Sequence, residues 1–194
     1  TKAELTALSD FCRANDLLLF VDGARLAAAL TSDANDLTLP EFARLVDAFY
    51  LGGTKNGTLF GEALVITRPE LTHDFFRMKK RMGAVMEKGW LQGVQFEAIL
   101  KDNLYFDMAR HANVLAGRLQ EGVKALGLPL MTESCTNQIF PIVKNELRPR
   151  LEQVCAFEDW CPFDAEHTVI RFVTCFHTTQ EDVDALLSEL KKLL

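Results

Sequence analysis

A short run near the start of the chain, LLLFVD at residues 17–22, places five apolar side chains in a row before an acid. A continuous apolar run of this length is typical of a β-strand that is buried on both faces in a parallel sheet. A helical pattern, GARLAAAL, follows it, and two further strand-like segments, DAFYLGG and GEALVIT, come next. The mixture of buried strands and helices predicts an α/β fold.

The later part of the chain contains a long helical stretch and then a smaller mixed unit. Helical patterns continue from Pro69 until Gly127 and Pro129 mark a break. Beyond the break, NQIFPIV and HTVIRFVTC are typical of strands, and TTQEDVDALLSELKKLL of an amphipathic closing helix. We therefore predict two domains, residues 1–115 and residues 116–194.

The first domain has few strands for the sheet that its pattern predicts. Only about three strand-like segments precede the boundary, whereas strands buried on both faces need neighbours on both sides. We expect the chain to begin in the middle of a sheet.

Charge and composition exclude several classes of function. The formal net charge is −6, which argues against a broad nucleic-acid-binding surface. No apolar run approaches the roughly 18 residues of a membrane span, and the first residues lack a signal-peptide pattern. Five irregularly spaced cysteines without a CxxC motif, and four scattered histidines, indicate a cytoplasmic protein with reduced thiols and no metal site.

Three residues in the first domain are candidates for chemistry. Asp22 ends the first strand, where α/β proteins bind ligands, although it could equally cap the helix that follows. Lys55 lies in the glycine-rich turn GGTKNG, which is not a Walker A loop. It is either a solvated turn residue or an amine that forms a Schiff base. Arg25 is either an ion-pair partner of Asp22 or a ligand contact.

The acid and the lysine together suggest a pyridoxal phosphate site. A carboxylate that keeps the pyridine nitrogen protonated lets the ring accept electrons, and a lysine can hold the cofactor covalently. Their separation of 33 residues (55 − 22) fits such a pair without proving it.

The sequence also resembles a known family in several segments, in the family's own order. These segments are LFVDGARLAAAL, YLGGTKNGTLFGEALVI, KGWLQGVQFEAIL, ARHANVLAGRL, TNQIFPI and IRFVTCFHTTQEDVDAL. They are similar to threonine aldolases, within the aromatic amino acid β-eliminating lyase/threonine aldolase family. The likeness is closest to low-specificity threonine aldolases and phenylserine aldolases, and it covers essentially the whole chain.

The resemblance implies an aspartate aminotransferase-like fold, the fold type I of pyridoxal phosphate enzymes, with a large cofactor domain and a small C-terminal αβ domain. We accordingly expect residues 1–115 to be the C-terminal part of the large domain and residues 116–194 to be the small domain. The N-terminal part of the family's fold, with its phosphate cup and stacking histidine, is expected to be absent from this sequence.

The resemblance also implies roles for particular residues around pyridoxal 5'-phosphate. Lys55 would hold the cofactor, Asp22 would pair with the pyridine nitrogen, and Arg25 would lie near the phenolic oxygen. Thr54, beside the lysine, would help to position the cofactor.

Two further basic residues match family positions. Arg171, in VIRFVT, matches the arginine that grips the substrate α-carboxylate, a task suited to the guanidinium fork. Without the family, a surface strand arginine would be the simpler interpretation. Lys88, in MEKGW, falls where many relatives have an arginine that reaches a neighbouring subunit's phosphate, and lysine keeps the charge but loses the fork.

The implied activity is aldol cleavage of a β-hydroxy-α-amino acid (threonine, allo-threonine or phenylserine) to glycine and an aldehyde. The alternatives are a pyridoxal phosphate-dependent β-eliminating lyase and a non-catalytic fragment of such an enzyme. The expected partners are a small amino acid substrate and further copies of the chain, as a homodimer or homotetramer.

Overall fold

The computed structural model describes all residues from Thr1 to Leu194. The chain forms two compact units, Thr1–Asp107 and Met108–Leu194. The strands are β1 (Phe20–Val21), β2 (Ala48–Gly52), β3 (Glu62–Ile66), β4 (Gln138–Ile139), β5 (Ile142–Lys144), β6 (Glu158–Pro162) and β7 (His167–Val173). The α-helices are α1 (Lys2–Ala14), α2 (Leu26–Leu30), α3 (Leu39–Leu45), α4 (Phe75–Arg81), α5 (Trp90–Leu100), α6 (Leu104–Ala125), α7 (Arg148–Leu151) and α8 (Gln180–Leu193). Short 3₁₀ helices cover Pro69–Thr72, Lys101–Asn103 and Asn145–Leu147.

The sheet of the first unit has the order β1-β2-β3. β1 runs parallel to β2, and β3 returns antiparallel to β2. Helices α2 and α3 contribute apolar side chains to the core beside β2, and the rings of Phe42 and Phe49 meet edge to face at 5.1 Å. The strands predicted in DAFYLGG and GEALVIT are confirmed.

The prediction that residues 17–22 form a strand buried on both faces is wrong for this chain. β1 is only two residues long, and the side chains of Leu17, Leu18 and Phe20 are each about half exposed. β1 pairs with β2 alone, so it is an edge strand of the sheet and not a central one.

The second unit is built around β7, which pairs antiparallel with β4, β5 and β6. Its core comprises side chains of α6, α8 and the sheet, among them Leu119, Val123, Ile170 and Leu190. The closing helix is confirmed as α8, with a capping box between Thr179 and Asp182 and basic residues in its last turn.

No helix is both long enough and apolar enough to span a membrane. No group of three or more histidine, cysteine, aspartate or glutamate side chains is arranged to hold a metal ion.

Candidate functional site

The carboxyl ends of β1 and β2 meet at one edge of the first sheet. The two strands are parallel, with Val21 opposite Phe49, so Asp22 and the turn containing Lys55 both leave the sheet at this edge. The backbone N–H of Gly52 donates to the carbonyl of Gly23 at 3.0 Å, which ties the two loops together. The structure therefore joins the loop that carries Asp22 to the turn that carries Lys55, the two segments that the sequence singled out. This is the edge where α/β proteins bind ligands.

Glycine is required at two positions because the loops approach so closely. A Cβ atom at Gly23 would overlap the carbonyl oxygen of Tyr50. A Cβ atom at Gly52 would lie 2.5 Å from the carbonyl oxygens of both Gly23 and Ala24. Each distance is shorter than real Cβ contacts allow, so larger side chains would separate the two loops.

Glu62, at the start of β3, binds the backbone of the lysine turn through its carboxylate. Its carboxylate accepts the backbone N–H of Gly53 at 2.7 Å and that of Thr54 at 3.4 Å. The Thr54 hydroxyl donates to the carbonyl of Gly61 at 3.2 Å. These bonds fix the backbone immediately before Lys55, so the lysine side chain projects from a braced turn.

A buried asparagine anchors the other side of the turn. The Asn56 side-chain amide donates to the carbonyl of Tyr105 at 2.8 Å, and its backbone N–H donates to the carbonyl of Gly53 at 2.8 Å. Tyr105 is fully buried, and burial raises the pKa of its phenol. Gly57 follows with φ of 106°, a conformation that favours glycine.

Sequence reasoning missed Glu62, Asn56 and a third support, Gln95. The side-chain oxygen of Gln95, on α5, accepts the backbone N–H of Leu59 at 2.7 Å. The spacing of nine residues between Gly53 and Glu62 carries no helical or strand period. The asparagine inside GGTKNG was the one available signal, because a polar side chain in a tight turn commonly bonds to backbone.

The side chains of Lys55 and Asp22 are both exposed. Lys55 has no hydrogen bond and no ion pair within the chain. One carboxylate oxygen of Asp22 accepts the backbone N–H of Ala24 at 3.1 Å. Asp22 is not the cap of α2, since Arg25 holds that position without a side-chain cap bond. The lysine amine and the second carboxylate oxygen of Asp22 therefore remain available to an added group.

Three more candidates belong to the first unit: Arg25, Thr54 and Lys88. Arg25 follows Asp22 in the same loop and is half-buried. Thr54 is part of the lysine turn itself. Lys88 lies in the segment before α5, is exposed, and forms no side-chain bond to the turn. Arg25 therefore shares the loop of Asp22, and Thr54 shares the turn of Lys55, whereas Lys88 belongs to neither segment.

Arg171 lies on β7 in the second unit, where its side chain is only 15% exposed. Its Nη1 donates to the side-chain oxygen of Gln138 at 2.9 Å, and its Nη2 donates to the carboxylate of Glu158. The guanidinium carbon is 5.0 Å from the centre of the Trp160 ring. Arg171 is therefore a largely buried strand arginine with three side-chain partners, and its role in substrate binding stays a prediction.

We expect Glu62→Ala to destabilise the first unit by about 1–2 kcal/mol, because two backbone N–H groups lose a charged acceptor. Urea denaturation of the mutant and wild-type proteins measures this difference in the free energy of unfolding. Glu70→Ala is the control, since Glu70 is exposed and has only a 3.8 Å ion pair with Arg68. Equal effects of the two substitutions would show that Glu62 does not brace the turn.

Comparison with known proteins gives one consistent family. The family model described as beta-eliminating lyase matches residues 1–146. A low specificity L-threonine aldolase of Pseudomonas aeruginosa is 32% identical over 138 residues, which cover 71% of this chain and 40% of the relative. The chain therefore spans well under half the length of this curated relative.

The solved structures agree with the sequence comparison. A threonine aldolase of Leishmania major superposes with a TM-score of 0.91 and 41% identity, over 99% of this chain and 56% of that one. A structure from Exiguobacterium sp. 255-15, described as an aromatic amino acid beta-eliminating lyase/threonine aldolase, has a TM-score of 0.75 at 19% identity. It covers 99% of this chain and 57% of that one, and supports the fold alone. The predicted α/β fold of type I is confirmed.

Proposed function

This chain belongs to the beta-eliminating lyase family, and we propose that the protein carrying it is a pyridoxal 5'-phosphate enzyme of the threonine aldolase type. It would cleave a β-hydroxy-α-amino acid, such as threonine, allo-threonine or phenylserine, to glycine and an aldehyde. The observation that carries the proposal is the hydrogen bond between Gly52 and Gly23, which joins the lysine turn to the loop of Asp22.

The residues at this edge fit the cofactor. When bound, pyridoxal phosphate supplies an aldehyde that condenses with amines and a protonated ring that accepts electrons. The amine of Lys55 has no competing partner in the chain, and one oxygen of the Asp22 carboxylate is uncommitted. The glycines let the backbones of the two loops approach each other closely, which holds the two groups on adjoining segments.

Each residue has a separate task in this proposal. Lys55 presents an amine from a turn that Glu62 braces. Asp22 would favour the protonated form of the pyridine nitrogen through its negative charge. Arg25 lies in the same loop as Asp22 and would face the phenolic oxygen, while Thr54 would orient the ring.

The substrate would be recognised through its carboxylate, by Arg171. A guanidinium whose plane is fixed by packing offers two parallel N–H groups to a carboxylate. Lys88 would bind the phosphate of a neighbouring subunit's cofactor, so the active protein would be a homodimer or homotetramer. All five cysteines are free, which supports the proposal of a cytoplasmic enzyme.

A second candidate reaction is β-elimination on an amino acid, which the description of the matching family model favours. It would use the same Asp22 and Lys55, because both reactions place electrons into the same ring. Supplying threonine and a β-substituted amino acid in parallel assays separates the two. Glycine with an aldehyde indicates aldol cleavage, and a keto acid with ammonia indicates elimination.

The proposal is tested in the complete gene product that contains these residues, with the 194-residue chain measured alongside. Purified protein is mixed with pyridoxal phosphate, and its visible absorption and its release of glycine from threonine are followed. Visible absorption by cofactor bound to the protein, together with glycine release, supports the proposal. A complete gene product that neither takes up the cofactor nor releases glycine contradicts it, and cofactor uptake without turnover supports the non-catalytic alternative.

We expect Asp22→Asn to lower kcat by roughly 10²-fold or more, because the ring nitrogen loses the charge that keeps it protonated. Steady-state glycine release from threonine measures the effect. Asp33→Asn removes an exposed carboxylate of the same unit that bonds to no other residue, and it should leave kcat unchanged. If Asp22→Asn retains wild-type kcat, Asp22 is not the partner of the ring.

A further inference from the structure

The guanidinium of Arg171 is bound by a carboxylate from its own chain. Glu158 lies directly opposite Arg171 in the pairing of β6 with β7, and its carboxylate accepts a hydrogen bond from Nη2. The two side chains differ in exposure: Glu158 is 65% exposed and Arg171 is 15% exposed. The carboxylate therefore approaches the arginine from the solvent side, where an external carboxylate would also have to approach.

A bulge in β6 adds an aromatic wall beside the same guanidinium. The register shifts between Asp159 and Cys161, so Trp160 is an extra residue with no partner on β7. Bulges of this kind redirect a side chain and are common beside active sites. The Trp160 ring lies under the guanidinium and contacts the ring of Phe140 edge to face at 5.1 Å, so its position does not depend on Glu158.

The partners of Arg171 divide into fixed and exchangeable ones. Gln138 accepts from Nη1 as a neutral amide, and the guanidinium lies over the Trp160 ring. Neither supplies the negative charge that a guanidinium binds most strongly. Glu158 does, and it is the exposed member of the group. Loss of Glu158 from the arginine would leave the orientation of the guanidinium set by Gln138 and Trp160.

We propose that Glu158 is an internal competitor that occupies the carboxylate site of Arg171 until the amino acid substrate displaces it. This inference depends on the proposed role of Arg171 in binding the substrate carboxylate. When a site is open in only a fraction of the molecules, its apparent dissociation constant is the intrinsic one divided by that fraction. Glu158 therefore sets the apparent affinity for amino acids without touching the reacting atoms.

The test is Glu158→Gln in the complete, cofactor-loaded protein. Exposed ion pairs are weak, so we expect the KM for threonine to fall by about 2- to 5-fold while kcat stays the same. The dissociation constant for glycine, measured from the change in the cofactor's visible spectrum, should fall by the same factor. An unchanged or raised KM overturns the inference, since a raised KM would mean that Glu158 holds the arginine in its working position.

Asp159→Asn is the matched control. It removes the same charge from the neighbouring position of β6, where Asp159 pairs with Arg148 instead of Arg171. Its KM and its glycine dissociation constant should equal those of the wild type. An equal fall of KM in both variants would indicate a general effect of strand charge and would also overturn the inference.

Arg171→Gln separates failure of this inference from failure of the proposed function. If Arg171→Gln raises KM strongly while Glu158→Gln leaves it unchanged, Arg171 binds the substrate and only the competition by Glu158 is wrong. If the wild type is active and Arg171→Gln leaves KM unchanged, the assignment of Arg171 itself is wrong.

Discussion

Replacement of Lys55 by alanine is expected to abolish the visible absorption of the bound cofactor and to lower kcat by roughly 10³-fold or more. Lys55 is the lysine of the braced turn at the edge where β1 and β2 end, and its amine is bonded to nothing else in the chain. No other amine of this turn could replace it, because its neighbours Thr54 and Asn56 lack one. Absorption spectra and glycine release from threonine measure the two effects.

Two variants make the result specific. Lys55→Arg keeps the positive charge but cannot replace the amine in a Schiff base, so it should also lose the visible band. Lys101→Ala removes another exposed lysine of the first unit and should behave as the wild type. If the band survives in Lys55→Ala, another amine holds the cofactor and the central assignment is wrong.

Replacement of Gly23 by alanine is expected to destabilise the first unit by about 3 kcal/mol or more. The new Cβ would overlap the carbonyl oxygen of Tyr50, which is backbone of β2 and cannot rotate away as a side chain could. The two loops would have to separate, which would also break the hydrogen bond from Gly52 to Gly23. Urea denaturation measures the loss, and cofactor binding should weaken in parallel.

The control for this substitution is Gly93→Ala, which should have the opposite sign. Gly93 lies within α5, and a Cβ there would meet no atom within 4 Å. Alanine is the better helix former by about 1 kcal/mol, so this variant should be slightly more stable than the wild type. If the urea midpoint of Gly23→Ala equals that of the wild type, the close approach of the loops does not contribute to stability.

The sequence predicted best those elements whose signals are local. The closing helix α8 was predicted from its amphipathic pattern alone, and its capping box joins residues only three positions apart. The prediction that residues 17–22 are buried was wrong. Burial depends on what packs around β1 in the fold, which a local pattern does not report. The long helical stretch after Pro69 is divided into separate helices, with left-handed residues at Gly83 and Asp102 at the breaks.

The residues of the candidate site also differ in whether a local sequence pattern could reveal them. Asp22 and Lys55 were recognisable because each ends a strand-like segment, and parallel strands bring their ends together. Glu62 and Glu158 were not recognisable, since each acts on a group that periodicity does not connect to it. Exposed acids are common on every soluble protein, and only their hydrogen bonds in the fold distinguish these two.

Trp160, whose ring centre lies 5.0 Å from the guanidinium carbon of Arg171, gives the protein an intrinsic fluorophore beside the proposed carboxylate site. The chain has only two tryptophans, and the other, Trp90, belongs to the first unit. In a Trp90→Phe background, the emission of the remaining indole would respond to the charge beside it. Exchange of one carboxylate for another on Arg171 could then be followed optically, in real time and without an attached dye.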